Sequence, residues 1–448
     1  MSMLWERLRS VWTIPDLRKK ILFTLAMLLV FRVLAHITVP LTNQELANLK
    51  SLFSSSSSNQ NLSQLFGLLD VFSGGSLQQF SIVALGVYPY ITATIVMQLL
   101  QPIIPALDNM MREGEAGRLR FSQITRIVAV PLAFLQAIGS AAIFVKYNVL
   151  TNFNLFNGST WLESLSILLA LTAGTMILVW LGELITENGI GNGISIIIFG
   201  GIVSRIPQFI QQGFTASTTG GSGAGIVSIA VFLAIGLVTI VGIVYVYLGQ
   251  RRVPIEYPTK RMVGRGMLVG TAQRTYIPMQ VNSAGMIPLI FAQSMLIFPA
   301  VLSQYLANSS TSWLASASQW VATYLINTTL WWYWLMYFAL VVAFTYFYAY
   351  VVWQQQNIPE NLQKQGAHIP GYRPGETTRR HLDEILKRIT LGGAIFLGIV
   401  AILPYIATVG GNQLLSSAAL LIVVGVVLDT VRQIEAQMVM RNYSGFLS

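Results

Sequence analysis

The 448-residue chain contains no cysteine, which excludes disulfides, thiol catalysis, cysteine-ligated metals and iron–sulfur clusters. Charge is scarce: Asp, Glu, Lys and Arg make up 10% of the sequence, against about 25% in soluble domains. No Gly-Lys pair occurs, so there is no Walker A loop to cradle a nucleotide phosphate. There is no His-Glu-x-x-His, and His36, His368 and His381 are too scattered for a metal site. Acidic residues within the long apolar runs reduce to Asp429, with Glu163 and Glu183 at run edges. A proton- or sodium-coupled carrier usually places ionisable groups along its pathway. No catalytic constellation, cofactor motif or energy source is visible, and the expectation is a protein that is not an enzyme. If anything moves through it, another component supplies the work.

What is present is apolar. Hydrophobic residues reach 54% and mean hydropathy is +0.62, the composition of a polytopic membrane protein. Arg7, Arg9, Arg18, Lys19 and Lys20 precede a first apolar run at 21–39. That run exceeds a 7–15-residue signal core and has no Ala-x-Ala site after it, so it reads as an uncleaved span. A window of about 19 residues gives ten spans: 21–39, 80–101, 124–146, 162–182, 193–211, 226–248, 284–302, 331–353, 389–407 and 414–431. With both termini cytoplasmic, 22 of the 27 Lys and Arg residues fall in cytoplasmic segments and only Lys50 in an outer loop. That bias fixes the orientation. Nothing in the charge pattern points to recognition of a nucleic-acid sequence.

The stretch Leu65–Gln101 is too long and too broken for one membrane helix. Leu65–Phe72 has room for about two helical turns; Ser73-Gly74-Gly75 interrupts it, and Phe80–Leu100 is long enough to cross. A short apolar helix that stops before spanning is either packed on its neighbours or re-entrant within protein. Residues 213–225 (GFTASTTGGSGAG) have the composition of a flexible linker. They divide the spans five and five, into an N-terminal half (1–212) and a C-terminal half (226–448). Halves with an odd number of spans are inverted relative to each other, a layout that builds a central pathway, although no repeat is evident in the sequence. The loops at 249–283 and 354–388 are long and basic. Their charge fits either topogenesis near anionic lipid or a docking surface; about 35 residues with structured turns favour docking.

Several blocks resemble the SecY family, whose members form the central subunit of the bacterial protein-conducting channel. They are FSGGSLQQFSIVALGVYPYITATIVMQLL (72–100), EGEAGRLRFSQITR (113–126), WLGELITENGIGNGISIIIFGGIV (180–203), VNSAGMIPLIFAQSM (281–295), PGYRPGETT (370–378) and LLIVVGVVLDT (420–430). The likeness runs through all ten spans in order. It implies an all-α fold of ten transmembrane helices in two inverted halves around a central pore. The plug would be Leu65–Gly75, with Leu65, Phe66, Leu68, Leu69, Asp70, Val71, Phe72, Gly74 and Gly75 as its residues. The pore ring would comprise Val87, Ile91, Ile194, Ile198, Ile290 and Ile422; the i, i+4 spacing of 87/91 and of 194/198 lets each pair face one way. Thr92, Gln136 and Asn282 would be polar contacts of a lateral gate between spans 2–3 and spans 7–8. Arg251, Arg252, Lys260, Arg261, Arg265 and Arg373 would belong to the surface that docks a motor or ribosome. Glu183, Glu187 and Asn188-Gly189 read as loop geometry and partner contact.

Further implications are SecE and SecG as small subunits, the SecA ATPase or the ribosome as the source of work, and signal sequences and unfolded precursors as cargo. The expected location is the bacterial cytoplasmic membrane, in contact with lipid. Two positions depart from the family pattern: Asp70 puts a carboxylate in the plug, and Val87 stands where isoleucine is usual. The competing reading is a secondary transporter on the same inverted plan, and a third is a membrane-embedded scaffold without conduction.

Overall fold

The computed structural model describes residues 14–39, 45, 47–49, 73–146, 150, 161–219, 224–263, 267–285, 287–306, 312–321, 330–356, 358–373, 375–407 and 417–444. The chain is mainly helical. In order run α1 Pro15–Leu34, α2 Tyr88–Leu100, α3 Pro105–Arg112, α4 Glu115–Lys146, α5 Trp161–Asn188, α6 Gly193–Thr219 and α7 Ala224–Leu248. Then come β1 Gln250–Val263 and β2 Met267–Gln280, followed by α8 Ile287–Leu306, α9 Ser312–Trp320, α10 Trp331–Gln356, α11 Ile358–Lys364, α12 Glu376–Ala407 and α13 Ser417–Ser444. Each of the ten expected spans falls on a helix. Among the described residues, four helices are long and apolar enough to cross a membrane; the α2–α3 pair, bent by 104°, makes a fifth if it is one broken span.

Three expectations need correction. The second span is helical only from Tyr88, because residues 73–87 form a run of turns with Gly74, Gly75, Phe80 and Gly86 at positive φ. The 213–225 linker is helical as far as Thr219 and again from Ala224, so only 220–223 lie outside the described residues. Within the expected helical fold, one segment read as a loop carries strands. The 249–283 loop is a two-stranded antiparallel sheet, in register from Gln250↔Gln280 to Val263↔Met267.

The chain divides into two compact units. One comprises Met1–Phe232, Ser294–Tyr333 and Gly410–Ser448; the other Leu233–Gln293 and Trp334–Val409. In the first, α5 is the central helix. It is apolar on every side: Ile167, Leu168, Leu171, Leu178, Val179 and Ile185 are buried in protein, while Leu169 and Trp180 are exposed on the opposite side, as suits a membrane helix with a lipid-facing side. The α5–α6 turn is built by polar side chains. Asn192 Oδ1 accepts from the backbone N–H groups of Ile194 (3.2 Å) and Ser195 (3.3 Å), capping α6. Thr186 Oγ1 accepts from Gly193 N–H at 2.9 Å, and Thr24 Oγ1 of α1 accepts from Ile190 N–H at 3.2 Å. The hydrophobic core of this unit gathers Phe80, Phe144, Leu168 and Leu171, with the Phe80 and Phe144 rings edge-to-face at 5.0 Å.

In the second unit, one core joins the sheet to the 354–388 segment. Val253, Ile255 and Met279 pack with Trp353, Leu362, Ile369, Leu382 and Ile385. Glu256 and His368 exchange backbone hydrogen bonds at 2.9 and 3.1 Å, adding a bridge to the β1 edge. The Glu256 carboxylate also pairs with Arg274 at 2.9 Å. Trp353 Nε1 donates to Asp383 Oδ1 at 2.8 Å, tying α10 to α12.

Candidate functional site

Residues 73–87 organise the first unit's candidate site. The single O–H of Ser76 lies within hydrogen-bond reach of two carbonyls, Ser73 O (2.7 Å) and Val83 O (2.9 Å), and bridges the turns from within. The segment is stitched to the residues after α1, with Val39 N–H donating to Phe80 O at 3.0 Å and Ile82 N–H to Ile37 O at 2.9 Å. It also presses against the middle of α5. A Cβ on Gly174 would sit 2.1 Å from Ile82 O, so only glycine permits this approach. Irregular backbone therefore lies beside the midpoint of a membrane-length helix, with the N–H groups of Phe80, Ser81, Ile82, Ala84 and Gly86 bonded to backbone carbonyls.

The Gly74-Gly75 turn is held from two sides. A Cβ on Gly74 would meet Gly201 Cα of α6 at 2.7 Å and Phe31 Cζ of α1 at 3.0 Å. Arg32 Nη1 donates to Gly74 O at 3.3 Å and to Ser204 Oγ at 3.2 Å. The Ser73-Gly74-Gly75 break is thus a packed turn with both glycines in the left-handed region, at φ +69° and +87°. The remaining plug residues, Leu65, Phe66, Leu68, Leu69, Asp70, Val71 and Phe72, lie outside the described residues.

The expected ring residues of this unit are on α2, α6 and α13. Val87 caps α2 and Ile91 lies in its first turn, with Ile91 N–H donating to Val87 O at 3.1 Å. Val87, Ile91, Ile198 and Ile422 are buried, and Ile194 is half-buried. Helices α6 and α13 pack on each other. Ile290 is buried on α8 within the second unit. Of the expected gate contacts, Gln136 Nε2 donates to Thr92 Oγ1 at 3.1 Å, joining α4 to α2. Asn282 belongs to the second unit, where its Nδ2 donates to Gly285 O at 3.1 Å.

In the second unit, Arg251 and Arg252 are exposed at the start of β1. The Arg252 guanidinium lies 4.8 Å from the Tyr276 ring centroid. Arg373 is exposed in the turn after Ile369, and its carbonyl accepts from Thr378 Oγ1 at 2.9 Å. Lys260 and Arg261 lie on β1, and Arg265 falls outside the described residues. The fold brings the two basic loops together through the shared core and the Glu256–His368 bridge; the bridge itself leaves no trace in the sequence.

Sequence reasoning also missed an ion pair. Arg126 Nε of α4 lies 2.8 Å from Glu183 Oε1 of α5, both partly exposed; the N–H is misaligned for a hydrogen bond, so the contact is chiefly electrostatic. Tyr90 of α2 approaches the same pair and the Ser122 hydroxyl. The signal was available, since a charge inside an apolar span is costly without a partner.

Comparisons with known proteins agree with this architecture. Residues 81–431 match the SecY family model. The Protein translocase subunit SecY of Streptomyces galbus is 40% identical over 443 residues, covering 97% of each chain. Two solved structures share the fold. One is a SecY protein whose plug domain stabilises the closed state of the translocation channel and maintains a membrane seal; its TM-score is 0.62 at 17% identity, covering 94% of this chain and 92% of that one. The other is Sec61 in the canine ribosome–channel complex from the endoplasmic reticulum, with a TM-score of 0.60 at 16% identity, covering 94% and 93%. With several apolar helices, an irregular segment packed against the middle of α5, and this identity over nearly its whole length, the chain belongs to the SecY family.

Proposed function

We propose that the chain is the central subunit of a gated protein-conducting channel, passing unfolded polypeptides across a bacterial cytoplasmic membrane and releasing transmembrane segments sideways into lipid. The observation that carries this reading is the run of turns at 73–87, seated against the midpoint of α5 instead of crossing with it. Backbone of that kind is tolerated at membrane depth where it is enclosed by protein or lines a cavity. Family membership supplies the channel function.

In this reading Gly74 and Gly75 anchor a plug whose body is Leu65–Phe72. Val87, Ile91, Ile194, Ile198 and Ile422 line the constriction, with Ile290 carried over from the family resemblance. Buried aliphatic side chains suit a closure that excludes ions by excluding water and yields to a passing chain. Thr92 and Gln136 are gate residues; their hydrogen bond joins spans 2 and 3, the same side of the gate, and holds that side together while it parts from spans 7–8. Asn282 is assigned to the gate from the resemblance.

Arg251, Arg252 and Arg373 are assigned to a cytoplasmic docking surface for SecA or the ribosome. The fold shared with a ribosome-bound channel supports the second partner. Lys260, Arg261 and Arg265 are assigned to the same surface from the sequence. SecE and SecG complete the channel, and the Lys/Arg bias supports cytoplasmic termini. The test is reconstitution with SecE and SecG into proteoliposomes, with SecA, ATP and a secretory precursor added. Precursor should become protease-protected in an ATP-dependent manner. Solute uptake without precursor protection would instead favour a transporter.

A further inference from the structure

The turn that presents Arg373 is tied down by two side chains of α12. Ile369, just before the turn, is buried in the core of the second unit, while Arg373 is exposed. The backbone between and after them is loose by composition. Gly371 and Gly375 both stand in the left-handed region, at φ +86° and +108°, and neither has anything within 4 Å of where a Cβ would be. Glycine loses more conformational freedom on ordering than any other residue, so such a turn keeps one shape only if it is held. The Tyr372 N–H donates to Ile369 O at 3.0 Å, and the Arg373 carbonyl accepts from Thr378 Oγ1 at 2.9 Å. The Tyr372 ring lies flat on the His381 ring, with centroids 3.9 Å apart and planes 20° from parallel. Thr378 and His381 are three residues apart on α12 and so share a face, and the neighbouring Leu382 and Ile385 fix that helix in the core. The backbone is thus pinned on either side of the Arg373 side chain.

We propose that His381 is a positioning residue for Arg373: stacked on Tyr372, it holds the turn in the shape that offers the guanidinium to the SecA motor. Neither ring belongs to the docking surface assigned above, and both act through the backbone. A planar guanidinium fork pairs best when its backbone is already fixed, because less freedom is lost on docking. The inference rests on the assignment of Arg373 to that surface.

The test uses the full chain with SecE and SecG in proteoliposomes, supplied with precursor and ATP and titrated with SecA at constant pH. The half-saturating SecA concentration is read apart from the maximal rate. His381→Ala should raise that concentration about 2- to 10-fold, the range one aromatic stack supports, and leave the maximal rate where it was. His381→Phe keeps a flat ring without the imidazole's polar atoms and should restore the parent value. A second readout needs no motor: hydrogen exchange at the Tyr372 amide should quicken in His381→Ala and not in His381→Phe. Arg373→Glu separates this inference from the reading beneath it. Normal translocation by Arg373→Glu removes the docking assignment and the proposal with it, even where the exchange result shows that the stack holds the turn. Loss of translocation in Arg373→Glu, with His381→Ala matching the parent in both readouts, leaves docking in place and overturns the positioning role alone. Equal losses in His381→Ala and His381→Phe also overturn it, because the ring would then not be what matters.

Discussion

Gly74→Ala tests how the irregular segment is held. A Cβ at this position would lie 2.7 Å from Gly201 Cα and 3.0 Å from Phe31 Cζ, on a backbone with φ +69°. The left-handed conformation costs a non-glycine residue about 1 kcal/mol. That cost follows the turn wherever it goes. The clash does not, because it disappears once the turn leaves α6. Overpacking of this kind costs about 1–3 kcal/mol, so the equilibrium between seated and displaced turn should shift by about 5- to 150-fold. Gly114→Ala provides the strain-only control, at φ +82° with nothing within 4 Å of its Cβ. Gly75→Ala should be intermediate, since the Arg205 side chain it meets at 3.3 Å can bend away. The assay is ion leak across proteoliposomes reconstituted without precursor. Leak should rank Gly74→Ala above Gly75→Ala, with Gly114→Ala close to the parent. Equal leak in all four proteins would refute the argument that a packed turn seals the channel.

Other expectations follow from the same packing. Phe144→Ala removes the edge-to-face partner of buried Phe80 and should cost about 3–5 kcal/mol, read as a lower thermal midpoint in detergent. Glu183→Gln leaves Arg126 without its carboxylate; because both groups are partly exposed, the loss should be about 1–2 kcal/mol, below the value for a fully buried pair. The swap Arg126→Glu with Glu183→Arg should recover part of it, and a swap no better than the single variants would show the pair is not a unit. Arg373→Glu should abolish SecA-driven translocation while the protein still inserts and folds. Normal translocation by that variant would reduce Arg373 to a turn residue.

Much of this was readable in advance. A run of about 20 apolar residues has few stable destinations other than a membrane helix, so the spans emerged from composition. The break at Ser73-Gly74-Gly75 was equally legible. What hid was where the helix restarts. Phe80–Val87 is as apolar as Ile91–Leu100, and it is the long-range bonds from Val39 N–H and to Ile37 O that keep it in turns. The 213–225 linker misled for a related reason: propensity is a weak prior, and helix runs through Gly213–Thr219 despite the Gly, Ser and Thr content. The β-hairpin did leave a trace. Val253, Ile255 and Tyr257 alternate with exposed or partly exposed residues in the period of a strand. Pro254 and Pro258 argue against a central strand but are compatible with a two-stranded ribbon. The charged pairings were not legible. Arg32, Arg126 and Arg205 lie within apolar spans, which signals that each needs a partner, but the partners are set by helix packing over separations of up to 172 residues.

The absence of cysteine makes the central claim directly measurable, because any introduced thiol is unique in this chain. Single cysteines at Ile91, Ile198 and Ile422 should each form a disulfide with a single-cysteine precursor stalled in transit. A cysteine at the outward-facing Trp180, 59% exposed on α5, should not. Cross-links at the three buried positions that require SecA and ATP are the predicted result. Equal cross-linking at Trp180, or none at the three, would contradict the account.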